Sequence, residues 1–157
     1  MIPLILALHT LAAVVWVGGI FYTLIIFRPA VGSLANSLGE RTRLELWQAV
    51  LGRFFHWVWG CVAVLLLTGY GVVIFGYEGF SAIGLHIQIM QITGIIMIAL
   101  FLFLWGRPWQ EFRHAVERGD VPAAQHFLAQ IRAVAIANLL LGLFTAAIGA
   151  TGGFWTY

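Results

Sequence analysis

Residues 1–27 have the sequence MIPLILALHTLAAVVWVGGIFYTLIIF, in which no side chain carries a formal charge. About 20 apolar residues are enough for an α-helix to cross the hydrocarbon core of a bilayer. The segment is therefore predicted to be a transmembrane helix. Its one histidine is His9, and an ionisable side chain at membrane depth indicates a ligand, proton or ion site. The alternative for His9 is a hydrogen bond to a neighbouring helix.

Three further runs lack charged side chains and are long enough to cross a bilayer: 54–77, 79–106 and 133–157. The predicted fold is an all-α integral membrane protein, a four-transmembrane-helix bundle that forms a single domain over residues 1–157. Its helices are expected at about 2–27, 50–76, 81–106 and 124–154.

The composition excludes an ordinary soluble domain, because only 9% of the 157 residues are charged, against about a quarter in soluble domains. The chain has no lysine, and its eight arginines lie between residues 28 and 53 or between residues 107 and 132. By the positive-inside rule both loops face the cytoplasm. Both termini then lie outside, on the periplasmic side of a bacterial inner membrane that the protein crosses as a multi-pass chain. The orientation of the chain in the membrane explains why arginines are present, so the net charge of +2 does not require a nucleic-acid partner.

Both arginine-bearing loops contain helix signals. Residues 40–47 are predicted to form an amphipathic helix that continues into the second span. Pro108 disrupts or kinks the helix in which it lies. The turn that contains Asp120 supplies an N-cap for a helix that starts near Pro122 and continues into the fourth span.

Depth in the membrane decides which histidines can share a ligand. At 1.5 Å per residue, His9 lies roughly 9 Å and His86 roughly 8 Å below the outer face of the core. His56 enters from the opposite face and lies about 12 Å from the depth of His9. Asn138 is predicted at a level comparable to His56, within reach of a hydrogen bond to it. The predicted pair is therefore His9 and His86.

Two imidazoles that face each other at one depth in a helix bundle suit the axial positions of a b-type haem. The single cysteine, Cys61, gives neither a disulfide nor a c-type attachment motif, so the haem would be held without a covalent bond. His9 and His86 are the predicted iron ligands, and Trp16, Gly19 and Met90 are predicted to line the cofactor. One haem b is expected, with a second at His56 as an alternative.

A family resemblance rests mainly on the first helix. The residues that carry it are His9, Trp16, Gly18, Gly19, Phe21, Tyr22, Arg28 and Pro29, together with the segments 66–70 and 131–142. This pattern resembles the copper-resistance protein D (CopD) family. It is similar, more distantly, to the HemJ-type protoporphyrinogen oxidases.

Three functions follow from these observations. The leading one is a bis-histidine b-type haem protein, an oxidoreductase in transmembrane or quinone-linked electron transfer, with a quinone or a periplasmic redox partner and with a homodimer as an option. The alternative, which the CopD resemblance implies, is copper transport or resistance. His86, Met90, Met97 and Cys61 are the soft ligands that it would use for Cu(I). The scarcity of methionine and cysteine in the sequence favours iron over copper.

The third function, protoporphyrinogen oxidation, is implied by the HemJ resemblance alone. Enzymes of that family have an important lysine in a later helix, and this chain contains no lysine.

Overall fold

The computed structural model describes residues 2–34, 37–76 and 84–155, and these residues form helices and turns without a strand. The helices are α1 (Ile2–Phe21), a π-helical segment (Tyr22–Phe27), α2 (Arg28–Ser33), α3 (Glu40–Gly76), α4 (Leu85–Gly106), α5 (Pro108–Glu117), α6 (Val121–Thr151) and a 3-10 turn (Gly152–Phe154).

Among the described residues, four helical stretches are long and apolar enough to cross a membrane: Ile2–Ser33, Glu40–Ile74, Leu85–Glu117 and Val121–Phe154. The predicted all-α fold with four transmembrane helices is therefore confirmed. The side on which the termini lie stays a prediction. Following that prediction, we call the end with the two arginine-bearing loops the inner end and the opposite end the outer end.

The helix limits extend the predicted spans at the inner end. The first helix continues through its π-helical segment to Ser33, and Pro29 lies in the first turn of α2, directly after that segment. The amphipathic helix predicted over residues 40–47 is present as the first part of α3. The predicted start of the third span at residue 81 lies outside the described residues.

Pro108 and Asp120 end and start helices as the sequence predicts. Helix α4 ends at Gly106, and Arg107, with φ −128° and ψ −63°, separates it from α5, which begins at Pro108. A carboxylate oxygen of Asp120 accepts a hydrogen bond of 3.1 Å from the backbone N–H of Ala123 and caps α6. Gly119 precedes it with φ 72°, a conformation that glycine adopts without strain.

The order of the helices around the bundle is α3, α1, α6, α4. Helix α1 packs against α3 on one side and α6 on the other, and α4 packs mainly against α6. Helices α3 and α4 touch over a short stretch only. The amphipathic α5 packs beneath α6 and α4 at the inner end. The bundle therefore has two extended interfaces, α1 with α3 and α4 with α6.

Candidate functional site

One close contact fixes the relative depth of three helices. A Cβ added at Gly142 of α6 would lie 2.6 Å from Val17 Cγ2 and 3.1 Å from Met97 Cε, so α1, α4 and α6 meet there. At 1.5 Å per residue, His9 lies about 12 Å and His86 about 16 Å from this level toward the outer end. The two histidines thus lie at similar depths on different helices.

His9 faces α3. Its Nδ1 is 2.8 Å from Thr68 Oγ1, and a Cβ added at Gly69 would lie 3.4 Å from its Cε1. The Thr68 hydroxyl donates its own proton to the carbonyl of Val64 at 2.6 Å, so its oxygen can only accept from His9. This network assigns the proton of the imidazole to Nδ1 and leaves the Nε2 lone pair free for a ligand.

The two other predicted residues of the first helix are in packing contacts. Trp16 is 3% exposed, and its ring lies edge-on to Phe101 with centroids 6.2 Å apart. The space beside Gly19 is filled by the ring of Phe54. In this structure Gly19 therefore provides a close approach between α1 and α3.

The interface of α4 with α6 contains a row of polar and sulfur-bearing side chains, which we call the α4–α6 seam. From the outer end inward, it pairs His86 with Gly152, Met90 with Gly149, Thr93 with Thr145, and Met97 with Gly142. The α4 members are spaced by four, three and four residues, which places them on one helix face. Glycine on α6 allows the longer side chains of α4 to lie against its backbone.

The contacts within the seam are close. A Cβ added at Gly149 would lie 2.9 Å from Met90 Cε and 3.3 Å from its Sδ. The hydroxyls of Thr93 and Thr145 are 2.7 Å apart. At the inner end of the seam, Asn138 Nδ2 donates to the backbone carbonyl of Met97 at 3.3 Å. The seam therefore combines an imidazole, two thioethers and polar groups between two helices.

The structure brings His86, Met90 and Met97 together in one row, but it does not join them to His9. His9 bonds to Thr68 of α3, whereas His86 packs against Gly152. Their pairing around a haem iron stays a prediction. Cys61 is buried on α3 and is not part of the seam.

The predicted hydrogen bond between His56 and Asn138 is wrong. His56 is exposed, its Nδ1 lies 2.5 Å from the Gly52 carbonyl, and its ring is edge-on to Trp105. Asn138 is 3% exposed and faces the inside of the bundle. Counting residues along a helix gives depth, but it does not give the side of the helix on which a side chain lies.

Sequence reasoning gave no hydrogen-bonding role to Thr68, Thr93 or Thr145. Their only signal is a hydroxyl in the middle of an apolar helix, where it needs a hydrogen-bond partner. Within the described ranges, no three side chains of the histidine, cysteine, aspartate or glutamate type come together. The metal-binding chemistry of the seam would thus come from thioether and imidazole donors.

These features define a multi-pass membrane protein with four spanning helices and a soft-donor seam between two of them. Residues 48–152 match the family model described as "Copper resistance protein D". The chain belongs to this family and is a multi-pass inner-membrane protein. No curated protein and no solved structure matches the chain.

The family match covers α6 and α4 and most of α3, but not α1. The CopD resemblance is confirmed, although the matched region leaves out the helix that carries most of the quoted motif. The HemJ resemblance is not confirmed by the match.

Proposed function

We propose that this protein carries Cu(I) through the membrane along the α4–α6 seam. The proposal rests on one observation: His86, Met90 and Met97, three soft donors of α4, pack in a single row against glycines of α6 and of the 3-10 turn that follows it. Membership of a family named for copper resistance supports the same chemistry. The donor row and the family membership together favour the copper alternative over the haem function that the sequence put first.

The donor set suits Cu(I), because thioether sulfur and imidazole nitrogen are ligands that this soft ion prefers. Along the helix, Met90 lies about 6 Å inward from His86, and Met97 about 10 Å further inward. A row of separate sites with few ligands each lets an ion bind at one and move on to the next, as conduction requires. A single site with many ligands would hold the ion too firmly.

The membrane potential gives the movement a direction. An inside-negative potential of 100 mV favours the inward movement of one positive charge by about 2.3 kcal/mol. With the predicted orientation, Cu(I) would enter the seam at His86 and leave it beyond Met97. This direction depends on the termini lying outside.

Copper flux into proteoliposomes tests the proposal. Vesicles containing a Cu(I) chelator, with external Cu(I) kept reduced, should accumulate copper, and faster when a potassium diffusion potential makes the interior negative. Met90→Leu and Met97→Leu keep the volume of the side chain and remove the sulfur, so each should slow the flux several-fold. Cys61→Ala is the matched control, because it removes a buried sulfur that lies outside the seam. Unchanged flux in both methionine variants would contradict the proposal.

A bis-histidine haem b is the second candidate. It is supported by the similar depths of His9 and His86 and by the lone pair that the Thr68 hydrogen bond leaves free on His9 Nε2. The haem would transfer electrons between a quinone and a periplasmic redox partner. Because His56 is exposed, a second haem there would need an axial ligand from another copy of the chain in a homodimer.

An absorption spectrum with metal analysis separates the two candidates. The copper proposal expects bound copper and no Soret band in the purified protein. Near-stoichiometric iron with a low-spin haem spectrum that His9→Ala and His86→Ala each abolish would establish the haem instead. His114→Ala and His126→Ala, both at exposed positions of the inner end, should leave either signal unchanged.

A further inference from the structure

The inner half of the bundle contains a partly open cavity of about 30 Å³ where α1, the π-helical segment, α3, α4 and α6 meet. Its walls are mostly apolar and include the rings of Trp16, Phe55 and Phe101. Two polar side chains, Thr23 and Asn138, also line it. A cavity needs more than about 10–15 Å³ of this kind of space to hold a water molecule, together with polar partners for it. The cavity meets the size requirement, so its polar atoms decide what it binds.

Asn138, which lines this cavity, has an unpaired acceptor. The residue is 3% exposed, and its Oδ1 has no hydrogen-bond partner. Its Nδ2 donates to the Met97 carbonyl, but that carbonyl lies within α4 and already accepts from the N–H four residues on. The hydrogen bond from Nδ2 to Met97 therefore adds little to the stability of α4. It also turns Oδ1 away from the α4 backbone.

Thr23 lies on the other side of the cavity at a similar depth. Counted from the contact of Val17 with Gly142, Thr23 is about 9 Å and Asn138 about 6 Å toward the inner end. The Thr23 hydroxyl donates to the Gly19 carbonyl at 2.7 Å, so the lone pairs of its oxygen remain. Both polar atoms can therefore only accept hydrogen bonds, and a ligand between them must be a small donor.

We propose that this cavity binds water, held by hydrogen bonds to Asn138 Oδ1 and Thr23 Oγ1, as a hydrated site inside the membrane. Water is the small molecule that donates two hydrogen bonds and fits the volume; about one or two molecules fill it. The site also has a role in copper movement, which rests on the proposed function. It lies directly inward of Met97, the last sulfur of the seam. An ion that leaves that sulfur would meet water before it reaches the cytoplasmic side.

Radiolytic footprinting of the intact protein tests the water site without copper. Hydroxyl radicals that form from bound water modify adjacent side chains even when these are buried. Trp16 and Phe101, which are 3% and 2% exposed, should be modified several-fold faster than Phe112, an aromatic residue that is 0% exposed and does not line the cavity. Equal, slow modification of all three would overturn the proposal.

Two substitutions test which atoms hold the water. Asn138→Leu removes the unpaired oxygen and fills the cavity, so it should abolish the fast modification of Trp16 and leave the melting temperature unchanged or higher. Thr23→Val should reduce that modification. Thr10→Val is its matched control, because Thr10 makes the same bond to a carbonyl four residues earlier but is exposed to the outside of the bundle. Fast modification that survives Asn138→Leu would contradict the assignment.

The copper assay separates failure of this site from failure of the proposed function. Asn138→Leu should slow copper flux several-fold while copper binding at the seam is kept. Absence of copper flux in the parent protein would sink the proposed function and leave the footprinting result standing. Unchanged flux in Asn138→Leu with the fast modification lost would remove the role in copper movement but keep the water site.

Discussion

The inner end of the bundle and the α4–α6 seam are built from opposite kinds of residue. At the inner end, Phe55 contacts Trp109 with ring centroids 5.0 Å apart and Phe101 at 6.0 Å, and Phe112 is 0% exposed. The seam instead joins glycine and threonine of α6 to the longer side chains of α4. Large rings fix the inner end, whereas small residues in the seam let a row of donor side chains lie against α6.

The membrane explains this difference. Burial from water stabilises the inner end, because α5, with its charged face, lies where the helices leave the bilayer. Within the hydrocarbon core, lipid is as apolar as the side chains, so helices associate through close packing and interhelical hydrogen bonds. We infer that most of the stability is located at the inner end and that the seam contributes less. This separation would let the seam carry ligands without unfolding the bundle.

The largest effect is expected from Phe112→Ala. Removal of a fully buried ring leaves a cavity and should lower the free energy of unfolding by about 3–5 kcal/mol. Unfolding in mixed micelles measures this loss. Phe154→Ala, at a position that is 86% exposed, is the control and should change the value by less than about 0.5 kcal/mol. Copper bound per folded molecule should stay the same in both variants, and its loss in Phe112→Ala would show that the two regions are coupled.

The contact between α1, α4 and α6 should be sensitive to added volume. In Gly142→Ala the new methyl group would lie 2.6 Å from Val17 Cγ2, so the helices must shift, at a cost of about 1–3 kcal/mol in the free energy of unfolding. Gly94→Ala on α4 is the control, because a Cβ there would meet nothing within 4 Å. If Gly142→Ala and Gly94→Ala had the same free energy of unfolding, the helices would not be closely packed at Gly142.

The sequence predicts the helices and the depths of their residues, but not which helices are neighbours. Charge-free runs give the four spans, because a bilayer excludes charge and requires a minimum length. The similar depths of His9 and His86 follow from the rise per residue. The hydrogen bond predicted between His56 and Asn138 is absent from the structure, because two residues at similar depths on different helices need not face each other.

Neighbours are decided by side-chain packing over the whole bundle. The sequence singles out Gly142 and Gly149 as small residues, yet nothing local indicates that they pack against Met97 and Met90. In the same way, the partner of His9 is Thr68, which lies 59 residues further along the chain. The seam could therefore be found only once the order of the helices around the bundle was known.

A smaller effect at the inner end should come from the cap of α6. Asp120→Ala removes the hydrogen bond to the N–H of Ala123 and should lower the free energy of unfolding by about 1 kcal/mol. Asp120→Asn keeps an acceptor at the same place and should stay close to the parent. Copper flux should be unchanged in both variants, because the cap is far from the seam. A loss of flux in Asp120→Ala alone would mean that the start of α6 positions the seam.

The smallest effect is expected from the hydrogen bond between Thr93 and Thr145. Interhelical hydrogen bonds in membranes contribute about 0.6 kcal/mol on average, because the separated helices also find partners for their polar groups. Thr145→Val should therefore lower the free energy of unfolding by about that amount. Thr151→Val, whose hydroxyl bonds only to Ala147 of its own helix, should have no measurable effect.

A double-mutant cycle isolates the pair. Thr93→Val, Thr145→Val and the double variant should give a coupling energy of about 0.5 kcal/mol or more if the two hydroxyls interact directly. A coupling energy of zero would mean that the 2.7 Å contact between them does not hold α4 to α6. The seam would then depend on glycine packing alone, and its row of donors would be set by the shape of α6 rather than by hydrogen bonds.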